Sequence, residues 1–521
     1  MNWRQTLLLA VLGLAVACAV AAFEPAPGYM DADYYAAGGI QLAQGHGFTE
    51  PYLWNYLDDP SGLPHASNAY WMPLASLLAA AGAALFRSPS WLAARSGFLL
   101  VAACLPPLTA ALAFSLTGRR NLALFSGLLA VFPMFYLADL ATTDTFGIYL
   151  LLGAVFLLVL NRKPFRLKPL MLGLLAGLMH LTRADGLLWL LAALLAVLFF
   201  DDRPVRRSLP RRFEALGLCL AGYALVMGPW MARDLAVFGT PLAPGGSKSL
   251  WLTSYNQLFS YPAGGINFSA WLHSGLGAIL QVRLWALGLN LANVLAMQGE
   301  IFLLPFVLVG AWVLRRERTL QLAGLAWFLT LAAMTLAFPF AGARGGFIHS
   351  GAAVQSIWWA LAPVGLDQVI VWVSRWRGWK ARARTIFQVL VVVVAALVSL
   401  VIVAGRLVGA GPGAQSWGQE SQEYRLVGQF LQAHNAPAQA VVIVANPPGF
   451  YLASGHPAIA VPDGDAATVQ ALAARYGARY LLLEKGSLPD SLQPVYDHPD
   501  GIPGLTFLGS VKDAHVYLVE P

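Results

Sequence analysis

Apolar stretches close to the ~20 residues a helix needs to cross a bilayer recur along almost the whole chain. They fall near 6–23, 96–117, 121–138, 145–160, 169–182, 187–200, 213–230, 299–314, 320–339, 351–373 and 386–408. The composition agrees: 58% of residues are hydrophobic and only 11% charged, against roughly 25% charged in soluble domains. A water-soluble fold, a disordered chain and a coiled coil are all excluded by that balance. The pattern predicts a mainly α, polytopic membrane protein.

A net charge of +7 invites a nucleic-acid reading, but the basic residues sit in short clusters between the apolar runs. The clusters are Arg119-Arg120; Arg162, Lys163, Arg166 and Lys168; Arg203, Arg206, Arg207, Arg211 and Arg212; Arg315, Arg316 and Arg318; and Arg375, Arg377, Lys380, Arg382 and Arg384. This is how a membrane protein marks its cytoplasmic loops, so no nucleic-acid partner is expected. With Arg4 also inside, the rule closes on about eleven spans, with the segment after residue 408 outside. The N-terminal run has a second reading, a cleaved signal peptide ending in small residues; either way residue 24 emerges outside. Residues 70–86 are apolar but carry Pro73 and begin with Tyr70-Trp71, which favours a helix in the outer interface over a twelfth span.

The outer side collects the unusual residues. A first exoplasmic loop, 24–95, holds Glu24, Asp31, Asp33, Glu50, Asp58 and Asp59, with no Lys or Arg before residue 87. A second, 231–298, is rich in Gly, Asn and aromatics, and its stretch 271–297 suits an interfacial helix. Within a transmembrane domain over 1–408, these two loops are the long ones. After a Gly-Ala-Gly-Pro-Gly linker at 409–413, residues 415–521 read as a small extracytoplasmic α/β domain. Strands are expected at 441–445, 458–461, 480–483 and 516–519, with helices at 420–433 and 466–476. Cys18, Cys104 and Cys219 lie inside apolar runs and read as small hydrophobes, and no CxxC, HExxH, Walker or GxGxxG motif occurs in a usable context.

Asp31 and Asp33 follow Pro25-Ala26-Pro27-Gly28 and precede a helical stretch. Residues two apart on a helix point about 200° apart, so both cannot face one pocket from within it. The workable arrangement has Asp31 at the cap, free to reach a cavity, and Asp33 in the first turn. The alternative is that Asp31 is only an N-cap and Asp33 a partner of the helix dipole.

The sequence DADYYAAGGIQLAQGHGF, placed after one helix and before a Pro-rich stretch and many spans, resembles the GT-C membrane glycosyltransferases. Within that superfamily it is similar to the bacterial relatives of dolichyl-phosphate-mannose–protein mannosyltransferases, to lipid A aminoarabinose transferase and to RgtA-type transferases. The resemblance implies an enzyme of the bacterial inner membrane. It would move a sugar from a polyprenyl-phosphate donor to an extracytoplasmic hydroxyl of a glycan, lipid or protein, with inversion. It implies Asp31 as base, with Asp33 where a second acidic residue is variably placed. Thr142-Thr143-Asp144 resembles the family's second acidic site, with Asp139 as an alternative. Leu181-Thr182-Arg183-Ala184-Asp185-Gly186 resembles a turn whose cation meets the donor phosphate. Arg344, in a glycine-rich loop, is a second candidate clamp. His65, Tyr70 and His349 are candidates to line the cavity. A divalent cation at Asp31 is compatible with oxygen ligands and not required by the resemblance. The rival class is a transporter or flippase; against it, no internal repeat is visible, and the charges sit at the outer ends of spans.

Overall fold

The computed structural model describes residues 2–199, 209–380, 382–410 and 415–520. Arg203, Arg206 and Arg207 of the third basic cluster, and the middle of the 409–413 linker, lie outside the described residues. Helices occupy all the expected spans. Seven among the described residues are long and apolar enough to cross a membrane: Trp3–Ala21, Trp91–Thr117, Leu209–Phe238, Leu276–Gln298, Arg318–Ala337, Pro339–Arg377 and Arg382–Val408. Shorter apolar helices, including Arg120–Val131, Thr145–Asn161, Lys168–Thr182, Ala184–Phe199 and Leu304–Val313, fill the rest of the bundle. The protein is a multi-pass membrane protein, and its lipid face is visible in side chains that would be untenable in water: Leu276 is 78% exposed and Val401 70%.

Close packing relies on small residues, since lipid tails are as apolar as leucine and give helices no solvent-driven reason to associate. Helices Leu304–Val313 and Gln355–Arg377 meet where a Cβ on Gly310 would lie 2.2 Å from the Leu361 carbonyl, and one on Gly365 1.8 Å from that of Phe306. Helix Trp3–Ala21 is a member of this bundle, with Leu9 and Ala17 buried in it. Basic clusters far apart in sequence gather at one end. Arg119 and Arg384 both pair with Asp367, at 2.7 and 3.5 Å, and Thr319 donates to Asn161 at 3.0 Å.

Two regions take a definite form beyond the sequence reading. The helix expected within 271–297 is one nearly continuous helix, Leu276–Gln298, of membrane-crossing length, and the Arg283 guanidinium lies along it, over Trp271 and bonded to the Ile279 carbonyl. The Gly342–Gly346 loop is a π-helical turn with a kink at Arg344 and Gly345, joining helices on either side. By contrast the apolar run at 70–86 gives a helix of only 12 residues, Leu74–Leu85, about 18 Å long at 1.5 Å per residue.

The tail builds a six-stranded sheet. In chain order its strands and those of the first loop are β1 (Thr49–Glu50), β2 (Tyr52–Leu53), β3 (His65–Ala66), β4 (Val441–Val444), β5 (Ala458–Ala460), β6 (Ala478–Glu484), β7 (Leu505–Val511) and β8 (Ala514–Val519). β1 pairs with β3, and the larger sheet runs β2-β5-β4-β6-β8-β7. β2, β5, β4 and β6 are parallel, and β8 and β7 antiparallel. The edge strand β2 belongs to the first loop: Tyr52 and Leu53 register with Ala458 and Ile459. The loop that carries Asp31 thus supplies an edge strand to the sheet of the tail.

Candidate active site

The helix that follows the Pro-rich turn spans Met30–Ala43 and is capped by the extended backbone of Tyr29, not by Asp31. The Tyr29 carbonyl accepts from Asp33 N at 2.9 Å, so both aspartates fall in the first turn, where the helix dipole favours them. Two threonines hold this turn against the next loop. Thr142 Oγ1 donates to the Pro27 carbonyl at 2.9 Å and Thr143 Oγ1 to that of Ala32 at 2.7 Å. The Thr142-Thr143-Asp144 run thus brings Asp144 beside Asp31 from more than a hundred residues away.

His349 completes the group. One ligating atom from each of Asp31, Asp144 and His349 lies within 4.8 Å of the others. His349 Nε2 is 3.2 Å from Asp144 Oδ2 and 3.9 Å from Asp31 Oδ2. The imidazole stacks on Phe146, with centroids 3.7 Å apart, and its Nδ1 sits 3.0 Å from the Gly345 carbonyl. A carbonyl only accepts, so Nδ1 carries the proton in that bond, and Nε2 is the nitrogen that faces the two carboxylates. Asp144 is fully buried, caps helix Thr145–Asn161 through Thr145 N, and accepts from the Tyr29 hydroxyl at 2.5 Å. Asp31 keeps 32% of its side chain open. Burial, helped by the nearby charge of Asp144, raises the Asp31 carboxyl to about 6, while His349 and Arg183 pull the other way.

Arg183 is near enough for its charge to act on Asp31 and His349. Its Nε donates to Asp185 at 2.9 Å and its Nη2 to Ser350 Oγ at 3.3 Å, while Tyr149 donates to the second Asp185 oxygen at 3.0 Å. Arg344 is exposed, lies 4.5 Å over the Tyr255 ring, and has no carboxylate within 4 Å among the described residues. Tyr70 borders the same space; burial, then Tyr255, pushes its hydroxyl up to about 12, and the charges of Asp31 and Arg183 reach it.

Three expected residues lie elsewhere. Asp33 points away from Asp31, as the 200° spacing requires, and accepts from Asn446 of the tail at 2.9 Å. Burial and the adjacent Glu420 push it well above the carboxylate range. Asp139 is paired with Arg406 at 2.8 Å, because the chain breaks at Pro133-Met134 and the short helix Tyr136–Leu140 turns it aside. His65 is buried against Glu50 at 2.8 Å, across the β1–β3 pairing. Tyr29 and Tyr149 were missed as contributors, since a tyrosine next to a span carries no signal of its own. Asn446 was missed likewise.

No protein-family model matches the sequence, and no curated protein matches it. Solved structures do match across nearly its full length. ArnT from Cupriavidus metallidurans, bound to undecaprenyl phosphate, superposes with a TM-score of 0.57–0.58 over its two states at 12–13% identity. The bound form covers 99% of this chain and 98% of that one. The oligosaccharyltransferase AglB from Archaeoglobus fulgidus, in complex with an inhibitory peptide and a dolichol-phosphate, gives 0.57 at 13% identity, over 99% of this chain and 74% of its own. A structure of the same archaeal enzyme with Zn and sulfate gives 0.56 at 13% identity, over 98% and 73%. The chain has the GT-C fold that these two membrane glycosyltransferases share, as the resemblance of its first loop implied.

Proposed function

We propose that the protein is an inverting glycosyltransferase of the bacterial inner membrane, taking a sugar from a polyprenyl-phosphate donor to an extracytoplasmic acceptor hydroxyl. One observation carries the reading: a half-open carboxylate, Asp31, with a buried carboxylate and an imidazole beside it and Arg183 nearby. The polyprenyl phosphates bound by ArnT and AglB support the donor class.

A lipid phosphate is already a good leaving group, so the protein's task is to take one proton and to steady one developing charge. Asp31, raised toward neutrality, accepts the proton of the acceptor hydroxyl as that oxygen attacks the anomeric carbon. The C–O bond to the phosphate breaks as the new one forms, and a single displacement inverts the centre. Arg344, which no carboxylate engages, meets the departing phosphate. Arg183, oriented by Asp185 and Ser350, adds its charge. The donor set of the trio fits a divalent cation: two carboxylates and an imidazole, neutral when it ligates, whose other nitrogen is tied to a carbonyl that fixes the ring's orientation. Asp31, Asp144 and His349 would hold such an ion, which would supply positive charge next to the transferring group. The residues of the basic clusters then face the cytoplasm, and the trio and the tail sheet face outside.

The test is transfer by the purified full chain, in detergent, from a labelled undecaprenyl-phosphate sugar, with the product anomer assigned by NMR. Inversion is expected; retention of configuration rules out the single displacement. A reporter fused after residue 410 is expected to be active outside the cytoplasm, and activity inside would overturn the sidedness.

A further inference from the structure

Behind Tyr29 lies a second cavity, of about 620 Å³, that none of Asp31, Asp144, His349, Arg183 or Arg344 lines. Its walls come from three regions: Tyr29 and Asp33 of the first loop, Arg406 of the last membrane helix, and Trp417, Glu420 and Ser421 of the tail. Tyr29 is the partition, with its ring on the cavity and its hydroxyl on Asp144. We propose that this cavity binds a saccharide, the part of the acceptor glycan that does not react; its role, though not its ligand, rests on the transferase reading.

The lining has the chemistry that sugars need. Sugar hydroxyls donate to carboxylate oxygens, and Asp33 and Glu420 present them side by side, both bridged by the Asn446 amide at 2.9 and 3.0 Å. Sugar C–H faces pack on aromatic rings, and Tyr29 and Trp417 stand edge to face, 6.1 Å apart. The same lining offers an anion no free cation: its one arginine among the described residues, Arg406, is already tied to Asp139 at 2.8 Å and lies over Trp417. The volume is that of an ordinary small-ligand site, typically about 300–1,000 Å³. Val401 and Ile402 of the last membrane helix also line it. Trp417 also fixes the wall: its indole donates to the Ala26 carbonyl at 2.9 Å, and it packs so tightly on Gly28 (φ +102°) that a Cβ there would lie 2.4 Å from the ring.

The experiment is ligand-observed NMR on the full chain in detergent, with mannose-, galactose-, glucose- and glucosamine-terminated disaccharides and with glycerol 3-phosphate as the anionic probe. At least one disaccharide is expected to bind and glycerol 3-phosphate is not. Trp417→Ala is expected to weaken that binding at least tenfold. Because Trp417 also anchors residues 25–28, Ser421→Trp serves as the second variant: it fills the cavity from a side chain that makes no hydrogen bond among the described residues, and is expected to abolish binding. The proposal falls if no disaccharide binds, if Ser421→Trp binds like the wild type, or if glycerol 3-phosphate binds in their place. Cleavage of a polyprenyl-phosphate sugar by the wild type is followed in parallel. Saccharide binding without any cleavage counts against the transferase reading alone, and cleavage without saccharide binding against this proposal alone.

Discussion

Asp31 and Asp33 leave the first turn of one helix in opposite directions and arrive in different chemical worlds. Asp31 meets a histidine, a second carboxylate and an arginine, in a space open enough to leave 32% of its side chain exposed. Asp33 is 5% exposed and meets a carboxamide and another glutamate, with no cation among its partners. Both are raised by burial; Asp31 is lowered again by the charges of His349 and Arg183, Asp33 only by its bond from the Asn446 amide. Residue type and sequence motif are therefore poor guides to role within this turn; the helical angle between the two positions decides it.

The sharpest way to break the comparison is the pair of amide substitutions. Asp31→Asn keeps the shape and removes the proton acceptor, and loss of a general base costs about 100-fold to 10,000-fold in rate. Asp33→Asn keeps its contact with Asn446 and is expected to cost less than about tenfold on that same reasoning. Transfer rates at equal protein level check both. The opposite ranking would move the base to Asp33, and two active variants would end the mechanism.

A smaller effect is expected one contact out from the trio. Tyr29→Phe removes the hydroxyl bonded to Asp144 and leaves the ring that faces Trp417. Loss of a partner of a ligating group typically costs about 10–100-fold in activity or metal affinity. Titration of the full chain with Zn²⁺ or Mn²⁺ reads the affinity directly. Unchanged affinity and unchanged transfer in Tyr29→Phe would leave Tyr29 a packing residue.

Smaller again is the difference expected at Arg183. Arg183→Ala should weaken donor use more than Arg183→Lys, because the lysine loses the fork but keeps the charge. Asp185 already takes part of that charge, so the gap between the two is expected to be a few-fold, about 1 kcal/mol or less by the usual worth of a partly exposed pair. Wild-type transfer by both variants would reduce Arg183 to a brace for the turn at Ala184–Gly186.

The sequence carried the bundle well, because spans announce themselves by length and hydropathy, and basic clusters by charge. It also carried the first-loop motif, and with it Asp31. What it did not carry was anything set by contact between distant segments. His349 follows a glycine-rich stretch, and nothing local ties it to Asp144. Asp139 and Asp144 are indistinguishable as acids near the end of a span, until the break at Pro133-Met134 sends one to Arg406 and the other to Asp31. The strand pairing of Tyr52-Leu53 with the tail was hidden because two residues are too few to show a period. Nor did anything local show that Asn290 is buried, donating to Thr335 Oγ1 at 3.0 Å.

The last expectation extends the comparison to the tail, on Asp33's side of the helix. The Tyr424 hydroxyl lies 3.1 Å from Glu420 and 3.2 Å from Glu484, so these two carboxyls share one hydroxyl, with Glu423 nearby. Burial, then the charge of Glu420, raises Glu484 to about 8, and burial also raises Glu420. A carboxyl raised on folding is held in its protonated form. Its contribution is complete below the unfolded value, near 4.5, and is lost as pH climbs through about 8. The tail sheet is therefore expected to loosen from pH 5 to pH 8, the reverse of a carboxylate that is stabilised by a cation. For about 100 residues, 1 kcal/mol corresponds to roughly 4–8 °C in melting temperature. Proteolysis or hydrogen exchange of residues 415–520 across that range measures the loss, and Glu484→Gln should flatten it. A tail that tightens toward pH 8, or a Glu484→Gln variant that keeps the wild-type slope, would mean that the two glutamates are ionised together in the folded protein.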